Sequence, residues 1–491
     1  MTLHFMKRIY LDYASTTPID PVVKKAMEPY FGLKFGNTGS LHSFGQAAMS
    51  ALDESRETIA KAIGANFNEI IFTGSATEAN NLAIRGIAKG YRVSGMGYSG
   101  NKKPHPTPHT PHPRIVVSGI EHESVLETAR DLEREGVEVV YIPVDKSGIV
   151  NLEKLEAALN ERTVLVSVMY ANNEVGTVEP VAQIAEIIRK FREEKLVSRK
   201  DGVSLAQPIA HPLDSRPRSA TKSGNHARSG SETLFLETSF SSTYPMFHTD
   251  AAQALQYLDC DVGKLGVDLM TISAHKIYGP KGIGALYARQ GSGVQGLGYS
   301  AEKKLNPILH TPHPIITGGG QEFGLRSGTE NVPFVVGFAK AVELAQKNRE
   351  KESVRIAKLR ENLWQGIKKI YLNAEINGAD VLGVLNAIAK NGLNERSDRT
   401  ARTLQRLPNF LNVYLPGIES QFFLTKLDLA GIAASSGSAC RARALTPSYV
   451  IEALGHSKER AKQSVRFTLG KYTTKAEIDK VISVLDTFQR Q

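Results

Sequence analysis

The sequence predicts an α/β fold, in which a large domain on a mostly parallel sheet is followed by a smaller α+β domain. From residue 10 to about 335, strand-like apolar runs alternate with amphipathic helical patterns. Such alternation is typical of βα units, whose strands run parallel in one sheet. Beyond that point, a long helical pattern over 341–370 gives way to shorter strand-like runs at 410–415 and 464–469, which indicates the second domain.

Each predicted strand of the large domain is a short apolar run that ends at polar residues and is followed by a helical pattern. The pairs are strand 69–73 with helix 76–89, strand 114–118 with helix 124–135, and strand 163–170 with helix 182–194. In such sheets, ligands gather at the carboxyl ends of the strands. The polar residues at these ends are therefore candidates for one shared site, namely Thr77, His122, Asn173, Asp250 and Lys276.

The composition is that of an ordinary globular protein. Of the 491 residues, 41% are hydrophobic and 22% are charged, and the length allows two or three domains. The formal net charge of +10 is spread along the chain, with no basic block interleaved with aromatic residues, so we expect no direct nucleic-acid binding. No apolar run approaches the roughly 18 residues of a membrane span, so we expect no membrane partner.

The cysteine content indicates a reducing compartment. The two cysteines, Cys260 and Cys440, cannot form a disulfide framework of the kind found in secreted proteins. Residues 1–5 are too short for a signal peptide. We therefore expect a cytoplasmic protein.

Lys276 and Asp250 together indicate a pyridoxal phosphate site. Lys276 lies where an apolar run ends and a turn rich in Gly and Pro begins, and loss of solvation there favours the neutral amine that attacks carbonyls. The alternative is an ordinary solvated turn lysine. Asp250 ends another strand 26 positions earlier. Pyridoxal phosphate needs both a Schiff-base lysine and an acid that keeps its ring nitrogen protonated.

Nine segments of the chain resemble the pyridoxal-phosphate cysteine desulfurases, the NifS/IscS-like group of the class V aminotransferase family. They follow the family's order at residues 11–18, 76–78, 121–122, 172–176, 250–253, 273–276, 326–329, 435–440 and 466–467. The resemblance implies a fold-type I transferase that converts L-cysteine to L-alanine. It also implies transfer of the sulfur to an enzyme cysteine as a persulfide, for iron–sulfur cluster assembly or tRNA thiolation through an acceptor protein.

The resemblance gives the residues around the cofactor ring their roles. Lys276 would form the Schiff base, and Asp250 would pair with the pyridine nitrogen. His122 would stack on the ring and shuttle protons, while Asn173 and Gln253 would contact the ring or its phenolic oxygen. The alternative for each residue alone is a hydrogen-bonding cap at a strand end.

The resemblance places the cofactor phosphate at Ala76 and Thr77, where a helix N-terminus offers unpaired N–H groups. Ser273 and His275 would add donors, and Thr329 of a second subunit would reach the same phosphate, which implies a homodimer. The residue before Ala76 is Ser75, whereas the family usually has glycine at this position. A positive φ at that serine would cost about 1 kcal/mol.

Arg466 and Asn37 are the candidates for the substrate carboxylate, and Cys440 is the candidate sulfur carrier. By resemblance Arg466 binds the carboxylate, a role suited to its bidentate fork, and Asn37 is the weaker candidate. The alternative for Arg466 is a surface position on an edge strand. Cys440 ends a Ser/Gly-rich loop that can travel between substrate and acceptor. Cys260 is flanked by acids that disfavour its thiolate, so we interpret it as structural.

The predicted domains are 18–335 for cofactor binding, and 1–17 plus 336–491 for the small domain that carries the Cys440 loop. Two low-complexity inserts interrupt the large domain, at about 94–113 and 199–244, and the first should be mobile or polyproline-like. A third insert, 381–404, has the pattern of an extra helix. We expect no metal site, because prolines separate the histidines of the first insert.

Two other functions remain open from the residues alone. Another fold-type I enzyme, an aminotransferase or a selenocysteine lyase, would share Asp250 and Lys276 without needing Cys440 for sulfur transfer. A non-catalytic relative would instead act as a binding partner. A yellow absorbance in the purified protein would argue against the second alternative.

Overall fold

The computed structural model describes residues 8–94, 96–97, 105–106, 112–203, 244–290, 312–379, 406–437 and 446–490. The strands in these ranges are β1 Ile9–Tyr10, β2 Ile70–Thr73, β3 Met96–Gly97, β4 His105–Pro106, β5 Arg114–Ser118, β6 Glu138–Ile142, β7 Thr163–Ser167, β8 Met246–Asp250, β9 Leu269–Ser273, β10 Gly284–Ala288, β11 Glu375–Ile376, β12 Phe410–Tyr414, β13 Ile432–Ala433 and β14 Ser464–Thr468. The helices there are α1 Pro21–Met27, α2 Ser43–Ala62, α3 Ala76–Ser94, α4 Glu123–Arg134, α5 Leu152–Ala158, α6 Val181–Val203, α7 Val262–Leu265, α8 Val332–Ile370, α9 Ser420–Leu429, α10 Tyr449–Ala453, α11 Lys458–Lys462 and α12 Lys475–Arg490. Within the described ranges, no helix is both long and apolar enough to cross a membrane.

A seven-stranded sheet forms the centre of the large part of the molecule. Its strand order is β2-β10-β9-β8-β7-β5-β6. The five strands from β9 to β6 pair in parallel, and β10 runs antiparallel to both β2 and β9. Strands such as β7 and β9 are buried along their whole length, as expected for a parallel sheet covered by helices on both faces. The predicted α/β fold with a mostly parallel sheet is confirmed.

The strand directions bring the predicted site residues to one edge of the sheet. Strands β5, β7, β8 and β9 are parallel, so their carboxyl ends lie at the same edge. Strand β2 points the same way, because it is antiparallel to β10, which is itself antiparallel to β9. The segments that follow these five strands are the ones that the sequence singled out.

A second core lies around the three-stranded antiparallel sheet β11-β12-β14 and the parallel pair β1-β13. The long helix α8 spans both cores. Its early residues, up to Ala345, pack in the core of the large sheet, and its residues from Ile356 onward pack in the second core. The change of core therefore falls inside α8, later than the boundary expected at residue 335. The division into two domains itself stays a prediction, which the β1-β13 pairing supports.

The predicted inserts are only partly within the described residues. Helix α3 runs to Ser94, and β3 pairs antiparallel with β4 inside the insert 94–113, where we expected polyproline-like chain. A two-residue ladder uses backbone groups alone, so it needs none of the buried apolar surface that this composition lacks. Helix α6 runs to Val203. The rest of both inserts and the whole of 381–404 lie outside the described residues.

Acidification should weaken the fold through His248, which is fully buried on β8 between Ser167 Oγ at 2.8 Å and Thr271 Oγ1 at 3.1 Å. Burial lowers the pKa of His248 to about 4, against about 6.5 in the unfolded chain. Between these values the unfolded chain binds the proton and the folded chain does not, so stability is lost as pH falls. We expect the free energy of unfolding in urea to fall by about 2 kcal/mol more in the wild type than in His248→Asn between pH ~7 and ~4.5. Equal losses in both proteins would contradict this role.

Candidate active site

Lys276 ends the short 3₁₀ turn after β9 and points at the backbone of the N-terminal segment, which we define as residues 12–17. Its Nζ donates to the carbonyl oxygens of Ala14 at 2.5 Å and Ser15 at 2.9 Å. Gln253 Nε2 donates to the same Ala14 oxygen at 3.0 Å. Both residues were predicted to touch the cofactor, and the structure places them around one backbone position.

His275 is held by the same N-terminal segment. Its Nδ1 lies 3.2 Å from Thr16 Oγ1, and its carbonyl oxygen accepts from the N–H of Thr17 at 3.0 Å and from its hydroxyl at 2.9 Å. Burial, together with the positive charges of Lys276 and Lys281, lowers the pKa of His275 to about 3. The imidazole is therefore neutral at ordinary pH and acts as a hydrogen-bonding group, not as a cation.

Asp250 is linked to His122 by a chain of hydrogen bonds. The buried Asp250 accepts the Ala252 N–H on Oδ1 at 2.9 Å and Asn80 Nδ2 on Oδ2 at 2.8 Å. Asn80 Nδ2 also lies 2.8 Å from Ser124 Oγ, which is 2.8 Å from His122 Nδ1. We did not predict Asn80 and Ser124, although both are polar residues near the start of a helix that follows a strand of the sheet.

His122 caps α4, and its Nδ1 accepts the Ser124 N–H at 3.1 Å. Because Nδ1 accepts a backbone N–H, the proton of the neutral ring is on Nε2. Burial lowers the pKa of His122, Asp250 opposes this shift, and the charge of Lys276 adds to it. His122, Asp250 and Lys276 thus lie close enough at this edge of the sheet to interact electrostatically.

Asn173 lies in the turn after β7, beside the substrate candidate Arg466. Its carbonyl oxygen accepts from Arg466 Nη1 at 2.7 Å, while its own Oδ1 is buried without a hydrogen-bond partner among the described residues. The turn is built by Asn172, whose Oδ1 accepts the N–H groups of Glu174 and Val175. A buried polar atom with no protein partner needs an explanation, and a bound ligand supplies one.

Ser273 and the N-terminus of α3 form the place that fits a phosphate. Ser273 Oγ is also buried without a partner in the described part of the chain, and Ser273 pairs with Gly284 on β10. A Cβ on Gly284 would come within 2.8 Å of the Ser75 carbonyl carbon and 2.9 Å of the Ala76 nitrogen, so only glycine lets Ser273 lie beside the helix N-terminus. The exposed Thr77 hydroxyl is at the same end, where the helix dipole favours an anion.

Ser75 does not carry the backbone strain that we considered. The non-glycine residues with positive φ in the described chain are Tyr278, Glu322 and Phe323. The serine therefore fits this turn without the cost that a left-handed conformation would impose. A cavity of about 500 Å³ opens next to the turn, between α3 and α4, with Thr77, His122 and Ser124 in its lining.

Arg466 is buried on β14 and reaches into the same site. Nη2 donates to Asp12 Oδ1 at 2.8 Å and to Ser15 Oγ at 2.9 Å, and Nη1 donates to Asn173 as described. The alternative of a surface arginine is therefore wrong. The N-terminal segment thus contacts the lysine, the glutamine, the histidine and the arginine of the predicted site.

Two predicted residues, Asn37 and Thr329, are not brought into this group. Asn37 is exposed, and its Oδ1 accepts the Gly39 N–H at 2.9 Å within its own turn. Thr329 is also exposed. Cys440 lies outside the described residues. Cys260 is fully buried, and burial, more than the neighbouring acid, raises the pKa of its thiol to about 12, which fits the predicted structural role.

In the described ranges, no group of three or more His, Cys, Asp or Glu side chains is arranged to hold a metal ion. The buried groups at this edge that lack a partner among the described residues include the Ser273 hydroxyl and the Asn173 amide oxygen, and the N-terminus of α3 lies beside Ser273. These suit a phosphate and a heteroaromatic ring, for which Lys276 and Asp250 would supply the covalent attachment and the acid. The residues present therefore fit pyridoxal phosphate.

Comparison with known proteins agrees with this chemistry. Residues 9–211, 241–382 and 383–481 match the family described as aminotransferase class-V. The chain is 36% identical to cysteine desulfurase IscS of Dictyoglomus turgidum over 482 residues, covering 98% of this chain and 94% of that protein. It is also 36% identical to cysteine desulfurase IscS 1 of Archaeoglobus fulgidus over 476 residues, covering 97% and 95%.

Solved structures give the same result. A NifS-like protein superposes with a TM-score of 0.72 at 29% identity, covering 98% of this chain and 99% of that one. A NifS-like protein from Rickettsia africae gives 0.67 at 26% identity, covering 99% and 100%. The chain belongs to the class-V aminotransferase family. Within it, the chain groups with the cysteine desulfurases, as its motifs predicted, and its cofactor is pyridoxal phosphate.

Proposed function

We propose that this enzyme converts L-cysteine to L-alanine and passes the sulfur to Cys440 as a persulfide. The observation that carries the proposal is the meeting of Lys276, Asp250 and Arg466 at one edge of the sheet, around unpartnered polar atoms that fit the cofactor. The similarity to cysteine desulfurases over nearly the whole chain supports the same activity.

The proposal gives each side chain around the cofactor ring a defined role. When bound, pyridoxal phosphate supplies an electron-accepting ring that acidifies the substrate Cα–H and weakens its Cβ–S bond. Lys276 Nζ would attach the cofactor and, once released, move the Cα proton. Asp250 would keep the ring nitrogen protonated. His122 would stack on the ring, with the imidazole proton on Nε2.

The remaining residues hold the two charged ends of the reactants. Ser273 Oγ, His275 and the N-terminus of α3 with Ala76 and Thr77 would bind the phosphate. Asn173 and Gln253 would contact the ring, and Arg466 would bind the substrate carboxylate, with Asn37 as the weaker candidate. These roles agree with the burial of Ser273, Asn173 and Arg466 and with the lowered pKa of both histidines.

The sulfur transfer needs no oxidant or reductant besides the enzyme thiolate and L-cysteine. The Cys440 thiolate attacks the substrate sulfur, an S–S bond forms as the Cβ–S bond breaks, and the electron pair returns to the substrate carbon, which is protonated to give alanine. The outer sulfur of the persulfide then passes to an acceptor protein, either an iron–sulfur scaffold or a relay for tRNA thiolation. Because the mechanism needs a free thiol, we propose the reducing cytoplasm as its compartment.

A homodimer with shared sites is part of this proposal. Thr329 is exposed at the end of the segment 326–329, which Arg326 anchors to Glu78 on α3 through a hydrogen bond of 2.8 Å. Glu78 also accepts the Gly74 N–H at 2.9 Å, at the turn that leads to the phosphate site. The segment is therefore fixed beside one site while its exposed threonine is free to serve the site of a second copy.

The activity is tested by incubating the purified enzyme with L-cysteine and a reductant. We expect alanine and sulfide in equal amounts, together with the yellow colour of the bound cofactor. An aminotransferase would instead give a keto acid, and a selenocysteine lyase would act on selenocysteine and spare cysteine. A colourless, inactive protein would indicate the non-catalytic relative.

Asp250→Asn should retain the cofactor but lower the turnover of L-cysteine by about 10²–10³-fold, because a neutral amide cannot stabilise the protonated ring. Asparagine keeps the shape of the side chain and an oxygen for the Ala252 N–H. Cofactor content from the absorption spectrum and the rate of alanine formation would be measured on the same sample. A parallel loss of content and rate would contradict a separate electronic role.

A further inference from the structure

Three of the five N–H donors of Arg466 have partners within the protein. A guanidinium has five N–H groups, one on Nε and two on each Nη. Both N–H groups of Nη2 are taken, one by Asp12 Oδ1 and one by Ser15 Oγ. One N–H of Nη1 is taken by the Asn173 carbonyl, while Nε is buried with no partner among the described residues.

This pattern restricts how a carboxylate could bind. A carboxylate pairs with two guanidinium nitrogens at once, either Nε with Nη2 or Nη1 with Nη2. Both edges include Nη2, whose two hydrogens are held by Asp12 and Ser15. A second carboxylate can therefore use the fork only if one of these two acceptors gives way. On the edge formed by Nε and Nη2, the N–H of Nε has no partner among the described residues, so only one N–H of Nη2 has to be released.

We propose that Asp12 is an internal carboxylate that occupies Arg466 and is displaced by the carboxylate of the substrate. The inference rests on the proposed role of Arg466 in substrate binding and adds a residue that sets affinity and selectivity. An amine without a carboxylate leaves Asp12 in place, so Asp12 lowers the affinity only for ligands that carry a carboxylate. Asp12 is thus a positioning residue, because it acts through Arg466.

The surroundings of Asp12 allow such an exchange. Its side chain is 19% exposed, against 2% for Arg466, so the carboxylate can turn to solvent while the arginine stays buried. Its backbone is fixed separately, because its carbonyl accepts the Tyr10 hydroxyl at 2.9 Å and the residue bridges to Thr468. Only a rotation of the Asp12 side chain is needed.

The test compares Asp12→Asn with the wild type, both loaded with cofactor, for binding of L-alanine and of ethylamine. Asparagine keeps the size and one acceptor oxygen but lacks the competing charge. We expect L-alanine to bind about tenfold more tightly to the variant, as measured by calorimetry and by the change in visible absorption. Ethylamine, which has no carboxylate, should bind both proteins equally.

The opposite result would overturn the inference. If Asp12 instead orients Arg466, Asp12→Asn will weaken L-alanine binding while ethylamine binding stays unchanged. Asp12→Glu, which keeps a carboxylate, should bind L-alanine as the wild type does. Should Asp12→Asn fold poorly by circular dichroism, Asp12→Ser removes the same charge and carries the same expectation.

Arg466→Lys separates this inference from the proposed function. Loss of the preference for L-alanine over ethylamine in that variant would support Arg466 as the carboxylate site. An unchanged preference would overturn both that role and the inference about Asp12. The desulfurase activity is judged independently, by the formation of alanine and sulfide, so its failure cannot be mistaken for either result.

Discussion

Lys276→Ala should abolish the turnover of L-cysteine and the visible absorption of the covalently held cofactor. The reason is that alanine can neither attach the aldehyde nor move the Cα proton, tasks that we assign to Nζ, which the carbonyl oxygens of Ala14 and Ser15 now hold. We expect the rate of alanine formation to fall by at least about 10³-fold. The absorption spectrum and alanine formation would be measured on the purified variant.

Lys61→Ala provides the matched control for this experiment. Lys61 lies on α2 with 73% of its side chain exposed, and its ammonium pairs with Glu57 one helical turn away. It should keep the absorption and the rate. Retention of the yellow cofactor in Lys276→Ala would show that another lysine attaches it, and the assignment of this site would then be wrong.

Cys440→Ser should stop sulfur transfer while leaving the cofactor spectrum and L-alanine binding intact. Serine is a far weaker nucleophile towards sulfur than a thiolate and cannot store a persulfide. The residues that we assign to the cofactor and the substrate carboxylate are unchanged in this variant. We therefore expect the rate of sulfide release to collapse at an unchanged affinity for carboxylate ligands, measured by sulfide assay and by calorimetry.

Cys260→Ala is the control for the second cysteine. Because the Cys260 thiol is fully buried and its pKa is raised to about 12, it should take up no sulfur. After treatment with L-cysteine and a thiol-blocking reagent, mass spectrometry should find one extra sulfur on the peptide that contains Cys440. Wild-type sulfide release by Cys440→Ser would exclude the persulfide mechanism and favour the lyase or the aminotransferase.

The position of Lys276 could be predicted because a strand end is visible in a short stretch of sequence, and parallel strands must bring their ends together. The same reasoning placed Asp250 and His122. It could not place the N-terminal segment, whose contacts with Lys276 and Arg466 join residues more than 250 positions apart. Such pairings depend on how two cores pack, as does the change of core inside α8, and local patterns do not contain that information.

The pairing of β1 with β13, which lies more than 400 residues later in the chain, has a consequence for biosynthesis. Strand β1 pairs with β13, and Ile9 lies opposite Ile432. At about 5–20 residues per second, a ribosome needs roughly 20–80 s to make the intervening chain. Throughout that time the N-terminal segment has no Arg466 to bind. The active site is therefore among the last parts of the nascent protein to form, and a prematurely terminated chain cannot assemble the lysine and the arginine in one place.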